Sequence, residues 1–550
     1  MMEDFDNRCI VQTRDGPICG YIDISDDGTF YKFKKIPFAK PPVGNLRFMP
    51  PIAINPWTDI LDCTQNTPRP INANFKDEIV GSEDCLYIEV TSTNIKPNKL
   101  MPVMFWIGSY NYTFEMNDIC DQTLITKEDI VFVRCGSRLG VLGFLSINDF
   151  IAPGNSGLKD IVLALQWVQK NISVFGGDPN NVTLFGSCSG GSTVHLMMLS
   201  PMARGLFHKG IIQSSTALNR SALSPNPAQS VIEFAKLLGI TKTDVREIVE
   251  ELKNIPAEVI VRTYVGTLDF DNEDMFDAMF KPSVESEFEG QPIFLNKIPG
   301  AILRSGNFYK VPMIIGCNNV EAAVLQYVKS DFYADFDKFN KDVSLLVPKS
   351  LTLDCESSEK IGQQLLNFYF KDMEGLTEHS RTQYLQLLSD YYFLYYVNKT
   401  VRLHSRFASD SPIYYYSINY AGEWDLPKEL SFLNSSGHGG DLAFLFRIKA
   451  LDFKCCKGSR DSVITRNRVI RMWTNFAKYG NPTPNEDDPL LQIKWDPVVN
   501  ENTLNYLSIG SELTKGRNPF SERMLFWEQL LKENTFLRTL LYFNDIGVTW

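Results

Sequence analysis

Residues 186–190 read GSCSG, a Gly-x-nucleophile-x-Gly pattern with Cys188 at its centre. In enzymes this pattern holds a nucleophile on a sharp turn between a strand and a helix, and small neighbours prevent a steric collision there. The N-terminus of the helix favours negative charge. Because a thiolate is strongly nucleophilic, the pattern indicates reactive chemistry at Cys188. The alternative is a small buried apolar residue in a glycine-rich turn, the role of most free cysteines.

The segments around this motif have the elements that such a turn requires. The run NVTLF from residue 181 predicts a strand that ends at Phe185, and we expect a helix to open near Gly190. Between the β-branched runs from 129 and 181, apolar residues recur at helical spacing from Leu158 to Val168. Further buried strands are predicted in runs that begin at residues 101, 209, 311 and 411.

A helix between consecutive strands is the crossover that parallel strands need. The sequence therefore predicts an α/β fold with a large, mostly parallel central sheet, helices on both faces and an antiparallel N-terminal part. Residues 220–310 and 325–410 have helical, loop-rich patterns, and we expect them to cover the carboxyl edge of the sheet, where open α/β folds bind ligands. Without a linker or repeat in the sequence, we expect one domain over residues 1–550.

Composition excludes several classes of function. A net charge of -11 argues against nucleic acid as a partner, because phosphate binding needs a clustered basic face. The longest apolar runs are shorter than the roughly 20 residues that span a bilayer, so we expect no membrane insertion. The N-terminal residues MMEDFDNRCIVQ do not resemble a secretory signal, which predicts a cytoplasmic location.

Cysteine usage fits the same location. The eleven cysteines are an odd number without a CxxC pair or a Cys/His cluster, so we expect reduced thiols, no metal and no cofactor. Oligomeric state is not indicated by the sequence.

Five longer segments carry a family resemblance: FKKIPFAKPPVGNLRF (33–48), GSEDCLYIEV (81–90), SRLGVLGFLS (137–146), GNSGLKD (154–160) and VFGGDPNNVTLFG (174–186). They resemble the type-B carboxylesterases, the cholinesterase and carboxylesterase family of α/β-hydrolases. The resemblance runs nearly end to end and implies the α/β-hydrolase fold and hydrolysis of carboxylic esters. The phrase STNIKP (92–97) looks most like the intracellular α-esterases of insects. Secreted relatives bridge the cysteine that matches Cys85, but Cys63 lies at a different offset, so we expect a free thiol.

The resemblance also implies partners for Cys188, since the family uses a nucleophile, an acid and a histidine in that order. The acid pattern G-x-N-x-x-E is matched by GCNNVEAA, which makes Glu321 the candidate. The histidine pattern H-G-x-[ED] is matched by GHGGDLAFLF, which makes His438 the candidate. Glu321 would orient His438, and His438 would take the proton of the nucleophile and pass it to the leaving alkoxide.

Two departures from the family pattern argue against full activity. The nucleophilic serine is replaced by Cys188, preceded by Ser187 where the family has glutamate, alanine or glutamine. The loop that the family writes HGGG or HGGA reads GSYNY from 108 to 112. Backbone N–H groups matching Tyr110 and Asn111, with that of Ser189, would bind the developing oxyanion. A phenol at Tyr110 is expected to fill the space of the substrate oxygen, unless the loop has re-formed or Asn111 donates from its side chain.

Three hypotheses remain. The first is a degenerate carboxylesterase with weak or no hydrolysis that binds or sequesters apolar esters or related small molecules. The second is a working thiol-dependent esterase or acyl-transferase that uses Cys188, His438 and Glu321. The third is an intracellular partner-binding pseudoenzyme.

Overall fold

The structure of the chain is a computed structural model, and its described part has these ranges: 7–74, 78–117, 119–268, 278–325, 334–348, 351, 355–371, 375–420, 422, 435–448 and 458–534. The β-strands are Arg8–Gln12 (β1), Pro17–Ser25 (β2), Gly28–Pro37 (β3), Leu61–Asp62 (β4), Asn72–Ala73 (β5), Ile79–Val80 (β6), Tyr87–Ser92 (β7), Met101–Ile107 (β8), Ser109–Tyr110 (β9), Phe114–Glu115 (β10), Cys120–Asp121 (β11), Val131–Cys135 (β12), Gly177–Ser187 (β13), Lys209–Gln213 (β14), Met313–Asn318 (β15), Ile413–Ile418 (β16), Arg447–Ile448 (β17), Asn505–Ile509 (β18) and Leu513–Arg517 (β19).

The α-helices of the described part are Thr123–Thr126 (α1), Gly140–Phe144 (α2), Ser156–Asn171 (α3), Ser189–Leu199 (α4), Pro227–Leu237 (α5), Val245–Leu252 (α6), Ala257–Val265 (α7), Pro299–Ser305 (α8), Ala334–Lys341 (α9), Cys355–Tyr369 (α10), Arg381–Ser389 (α11), Tyr395–Phe407 (α12), Leu442–Leu445 (α13), Arg460–Tyr479 (α14) and Ser521–Glu533 (α15). A π-helical turn, Asp390–Leu394, joins α11 to α12.

One large sheet runs in the order β1-β2-β3-β7-β12-β8-β13-β14-β15-β16-β18-β19, with β4 beside β2. The pairs from β12 through β18 are parallel, whereas β1, β2, β3 and β7 pair antiparallel. The predicted α/β class, with a mostly parallel sheet and an antiparallel N-terminal part, is confirmed. The C-terminal hairpin of β18 and β19 was not predicted, because the β19 sequence LTKGR is polar and lies at the exposed sheet edge.

Both faces of the sheet are buried, as the apolar strand sequences require. Along β8, Val103, Phe105 and Ile107 join the core cluster that includes α3 and α4. Met104 and Trp106 face the other way and pack with residues of α14. Side chains alternate between the faces of a strand, so a continuous apolar run fills two cores.

The predicted crossover helix is α3, between β12 and β13. Its five apolar residues of the predicted face are all buried: Leu158, Ile161, Val162, Leu165 and Val168. Two charged residues on the same helix are also buried, and each has a partner. Asp160 pairs with Arg138 at 2.7 Å, and Lys159 pairs with Glu285 at 2.8 Å, which fastens the first helical insertion to α3.

The two predicted insertions contain helices in their described parts, α5 to α8 in the first and α9 to α12 in the second. Parts of both fall on residues outside the described ranges. Across the described chain, no helix combines the length and apolarity needed to cross a bilayer. Eight described cysteines are free thiols, and Cys63 and Cys85 are among them as expected.

Candidate active site

The turn at Cys188 has the shape that the motif predicts. β13 ends at Ser187 and α4 begins at Ser189, and Cys188 between them has φ 57° and ψ -129°. A residue with a Cβ atom is strained at such angles by about 1 to 3 kcal/mol. Backbone bonds hold the turn: Cys188 N–H donates to Gln213 O at 3.1 Å, and Cys188 O accepts from Ser192 N–H at 3.0 Å. The side chain of Cys188 is half-buried.

The two glycines of the motif are required by close backbone contacts. A Cβ atom on Gly186 would lie 2.6 Å from the carbonyl carbon of Gly190. A Cβ atom on Gly190 would lie 2.2 Å from the carbonyl oxygen of Ile107 in β8. The turn therefore sits directly against the neighbouring strand, and only glycine fits at both positions.

The structure brings Glu321 and His438 together, although 117 residues separate them. Glu321 Oε2 and His438 Nδ1 lie 2.7 Å apart, and Glu321 Oε1 accepts the N–H of Asn318 at 2.6 Å. A backbone bond from His438 N–H to Glu321 O reinforces the contact. Ser389 holds the backbone of the residue after Glu321, because its Oγ accepts the N–H of Ala322 at 3.0 Å. A fully buried carboxylate with these partners can hold only one orientation of the imidazole.

His438 and Cys188 are close enough to interact electrostatically. Because Nδ1 is bonded to Glu321, Nε2 is the other ring nitrogen through which His438 can act. Burial opposes the charged imidazolium, but the charge and hydrogen bond of Cys188, and then those of Glu321, outweigh it and hold the pKa of His438 well above its usual range. The arrangement therefore favours a protonated imidazole near Cys188, held in one orientation by Glu321.

The loop predicted to form the oxyanion site is a small hairpin. β9 and β10 pair antiparallel, with Tyr110 opposite Phe114 and Ser109 opposite Glu115. Opposed residues alternate between hydrogen-bonded and non-bonded pairs, and Met116 N–H bonds Gly108 O at 3.2 Å. The pair of Tyr110 and Phe114 is therefore hydrogen-bonded, and the N–H of Tyr110 belongs to the hairpin.

The Tyr110 side chain lies near the ring of His438. Its ring centroid is 6.3 Å from that of His438 and 6.2 Å from that of Phe114. Burial, and then the charge of Cys188, raises the pKa of the phenol, so the ring stays neutral. The effect of Cys188 on the pKa of the phenol shows that the two side chains are close to each other.

The next two loop residues keep a backbone shape that favours glycine. Asn111 has φ 51° and Tyr112 has φ 55°, both in the left-handed region. Asparagine tolerates this region, whereas a tyrosine is strained in it. Asn111 is buried, and its carbonyl accepts from Thr113 Oγ1 at 3.0 Å.

Ser189 ties this loop to the start of α4, a link that sequence reasoning missed. Its Oγ accepts the N–H of Tyr112 at 3.1 Å and donates to Ser109 O at 2.9 Å. Ser109 Oγ lies 3.0 Å from the same hydroxyl. Two serines at sequence positions 80 residues apart give no signal of a contact, because each is also a common loop residue.

Two further residues adjoin the predicted triad. The Phe393 ring packs against the His438 ring in a tilted arrangement, with a centroid distance of 4.6 Å and an interplanar angle of 32°. Asp441 is a second buried carboxylate that accepts a hydrogen bond from Gln213 Nε2. Burial, and then the charge of Glu321, raises the pKa of Asp441 to about 6. A signal for Asp441 existed, because it is the acidic position of the H-G-x-[ED] pattern that identified His438.

These contacts can support nucleophilic attack on an acyl carbon. Within the described ranges no group of three or more His, Cys, Asp or Glu residues is arranged to hold a metal ion. Glu321 contacts His438, and His438 lies close to Cys188, as nucleophilic attack would require. The hairpin at 108–116, where an oxyanion would be bound, departs from the family pattern in sequence.

Comparisons with known proteins match nearly the whole chain. The model of the carboxylesterase family matches residues 7–527. Juvenile hormone esterase of Tribolium castaneum is 31% identical over 96% of this chain and 94% of its own length. Esterase FE4 of Myzus persicae is 30% identical over 89% of this chain and 87% of its own. A crystal structure of juvenile hormone esterase from Manduca sexta, with OTFP covalently attached, superposes with a TM-score of 0.81 at 26% identity, covering 96% of this chain and 100% of that one.

Proposed function

Because the chain belongs to the carboxylesterase family, whose reaction is the hydrolysis of carboxylic esters, we propose that it binds apolar esters beside Cys188 and hydrolyses them weakly or not at all. In this proposal Cys188, His438 and Glu321 occupy the places of nucleophile, base and orienting acid. Tyr110, Asn111 and Ser189 occupy the places of the oxyanion donors. The protein would then retain the site of an esterase while lacking much of its rate.

The observation that carries this proposal concerns Tyr110. Its N–H is committed to the hairpin with Phe114, and its phenol lies beside His438. Loss of one oxyanion donor costs about 2.7 to 4 kcal/mol of transition-state stabilisation, roughly a hundred- to a thousandfold in turnover. The ring adds a steric obstacle to the same position, so the substitution impairs two requirements of the reaction at once.

The surroundings of His438 support an apolar ligand. Aromatic rings of Tyr110, Phe114 and Phe393 lie around the imidazole or next to one another. Aromatic walls with few polar groups are typical of small-molecule sites that bind hydrophobic ligands. We therefore propose that the ligand is an ester with apolar acyl or alcohol groups. We also propose that the protein is cytoplasmic and that its negative charge disfavours nucleic acid as a partner.

A thiol-dependent hydrolase or acyl-transferase is the second candidate. It is favoured by the proximity of Cys188 to His438, and by the carboxylate of Glu321 that is bonded to the imidazole. Such a pair stabilises a thiolate, which needs no further activation to attack an ester. The two candidates differ in turnover, because only the second predicts many product molecules for each protein chain.

The deciding experiment measures binding and turnover on the same full-length preparation. A fluorescent naphthyl ester is used for equilibrium binding, and 1-naphthyl butyrate and p-nitrophenyl butyrate are used for turnover. We expect saturable binding, with sustained hydrolysis close to the buffer rate. Sustained hydrolysis roughly a thousand times faster than buffer would refute the proposal and support the thiol hydrolase. Absence of saturable binding would refute both.

A further inference from the structure

We propose that the side chain of Ser189 sets the width of the proposed ester site, because its hydroxyl holds the hairpin arm that bears Tyr110 against α4. The side chain is a positioning group that decides how bulky an ester the site admits, whereas the backbone N–H keeps the proposed place of an oxyanion donor. This inference rests on the proposed function, since it concerns the same site beside Cys188. It follows from the contacts of the Ser189 hydroxyl, of the turn and of the rest of the hairpin.

The hydroxyl of Ser189 is fully used, and both of its partners belong to the hairpin. Its proton is donated to Ser109 O at 2.9 Å. Its lone pairs accept the N–H of Tyr112 at 3.1 Å and face Ser109 Oγ at 3.0 Å. A serine hydroxyl has one donor and two acceptor sites, so this buried group has no capacity left for a ligand. Its role is to hold the two residues that flank Tyr110 and Asn111.

The turn between the two hairpin arms is strained. Tyr110 O accepts the N–H of Thr113 at 3.0 Å. Both residues between them have positive φ, 51° at Asn111 and 55° at Tyr112. Two successive positive φ angles are the requirement of a type I′ turn, which favours asparagine and glycine but not tyrosine. Ser189 gives the N–H of this buried tyrosine its acceptor, and a buried N–H without one is costly.

The other side of the turn is attached to different elements. Thr113 Oγ1 lies 3.1 Å from Tyr264 Oη in α7. Tyr112 O accepts the N–H of Gly140 in α2 at 2.8 Å. These contacts hold the part of the hairpin that follows the turn centre, whereas the bonds of Ser189 to residue 109 hold β9 against α4. Loss of the Ser189 hydroxyl should therefore move β9 more than the remainder of the hairpin.

The position of β9 matters because it forms one side of the proposed site. The ring centroid of Tyr110 in β9 is 6.3 Å from that of His438. Ser189 directly follows Cys188, so its bonds fix β9 next to the thiol. An ester beside Cys188 must share this space with the Tyr110 ring. A fixed β9 therefore admits a smaller ester than a β9 that can move away from α4.

The first test is Ser189→Ala in the full-length chain, which removes the hydroxyl and keeps the backbone N–H. Hydrogen exchange is measured on peptides that cover residues 108–116. The N–H of Tyr112 loses its acceptor, so its exchange should accelerate roughly fivefold to tenfold. Ser109→Ala removes one of the three contacts of the hydroxyl and should have a smaller effect in the same direction.

The second test measures the width of the site with two maleimides that share one reactive group and differ in bulk. Labelling of Cys188 by N-methylmaleimide and by N-(1-pyrenyl)maleimide is followed by peptide mass spectrometry. In Ser189→Ala the rate with the pyrenyl reagent should rise roughly tenfold relative to the rate with the methyl reagent. A merely structural role of Ser189 would leave this ratio unchanged. Equilibrium binding should shift in the same sense, with a naphthyl ester gaining affinity relative to a phenyl ester.

Ser156→Ala is the matched control. Ser156 also begins a helix, is buried, and donates its hydroxyl to a backbone carbonyl, that of Phe48 at 3.0 Å. This variant should leave the exchange of residues 108–116 and the ratio of labelling rates unchanged. Equal effects of Ser156→Ala and Ser189→Ala would overturn the inference.

The outcomes separate this inference from the proposed function. Unchanged exchange in Ser189→Ala would overturn the inference, as would faster exchange with an unchanged ratio of labelling rates. Failure of every ester to bind would instead refute the proposed function, and the exchange and labelling rates would still decide the role of Ser189.

Discussion

The phenol ring of Tyr110 lies 6.3 Å from the imidazole ring of His438, and the backbone of the same tyrosine pairs with Phe114 in a hairpin. One residue therefore changes both the space above the thiol and the direction of an N–H group. A conservative change of side chain at 110 would leave the hairpin pairing intact. Position 110 is thus the first target for restoring an esterase site.

Restoration should succeed with Cys188→Ser combined with Tyr110→Gly and Asn111→Gly. The glycines remove the phenol and allow the loop to open its N–H groups toward the substrate oxygen. We expect ester turnover to rise by roughly a hundred- to a thousandfold over the unmodified chain, as recovery of one donor predicts. The initial rate with p-nitrophenyl butyrate is the measurement.

Cys188→Ser alone is the control for this restoration, and it should leave turnover near the buffer rate. Position 108 should not be changed to the histidine of the family pattern. A Cβ atom on Gly108 would lie 2.4 Å from Trp106 Nε1 and 2.5 Å from Asn117 Oδ1. If the triple variant stays inert while folding normally, departures at these three positions do not account for the lost rate.

The sequence predicted the parts of this molecule that depend on local patterns. Five apolar residues at helical spacing gave the buried face of α3, and the glycines around Cys188 gave the sharp turn after β13. Periodicity and turn sterics act over a few residues, so they are readable without knowledge of distant segments. The positions of Glu321 and His438 required the family resemblance, since nothing local distinguishes them from other polar loop residues.

The contacts that were missed depend on the register of distant elements. Phe393, whose ring contacts that of His438, lies within the π-helical turn Asp390–Leu394. A π-helical turn has no simple sequence signature, although such turns are frequent at functional sites. The pairing of Tyr110 with Phe114 depends likewise on a hairpin too short to produce an alternating pattern.

Glu321→Gln should weaken the reactivity of Cys188. The carboxylate supports the charged imidazolium, so its loss should lower the pKa of His438. The imidazolium then disappears at a lower pH, and Cys188 loses a charged neighbour that would favour its reaction. We expect alkylation of Cys188 by iodoacetamide near neutral pH to slow roughly tenfold. The rate is followed by peptide mass spectrometry across a pH series.

The exposed Glu258 in α7 provides the control for this experiment. Glu258→Gln should leave the alkylation profile unchanged. An unchanged profile in Glu321→Gln as well would contradict the role given to the carboxylate.

Removal of one partner from the buried ion pair between Lys159 and Glu285 should strongly destabilise the fold. Their side chains are 1% and 2% exposed, and Glu285 also accepts from Asn155 Nδ2 at 2.5 Å. Glu285→Gln would leave the lysine charge buried without a counter-charge, at a cost of about 3 to 5 kcal/mol. Urea unfolding monitored by tryptophan fluorescence measures the loss.

A solvent-exposed pair gives the comparison for this measurement. Lys515 and Asp496 lie 2.9 Å apart with side chains that are 50% and 38% exposed. Asp496→Asn should cost less than about 1 kcal/mol, because water screens the pair. Equal losses for the two variants would show that burial of the first pair does not determine its contribution.

Two buried histidines contact each other between α4 and α12. His195 is on α4, and its Nε2 is 2.9 Å from Nε2 of His404 on α12. His195 Nδ1 accepts the N–H of Ala217 at 3.0 Å, so the proton of His195 is on Nε2 and is donated to His404. Burial, and then the neighbouring His404, lowers the pKa of His195 well below its usual range, and burial lowers that of His404 to about 3.

This pair should make the fold sensitive to acid. The unfolded chain binds a proton on each histidine below the ordinary value of 6.5, whereas the folded chain does not until far lower pH. Stability is therefore complete above that value and falls as pH decreases, by about 1.4 kcal/mol per pH unit for each histidine. His404→Gln keeps an acceptor for His195. Between about pH 6 and about pH 5, it should reduce the pH dependence of the unfolding free energy, measured in urea, by about 1.4 kcal/mol per pH unit, the contribution of one histidine. His379→Gln at an exposed site should leave the slope unchanged, and equal slopes in both variants would contradict the buried neutral pair.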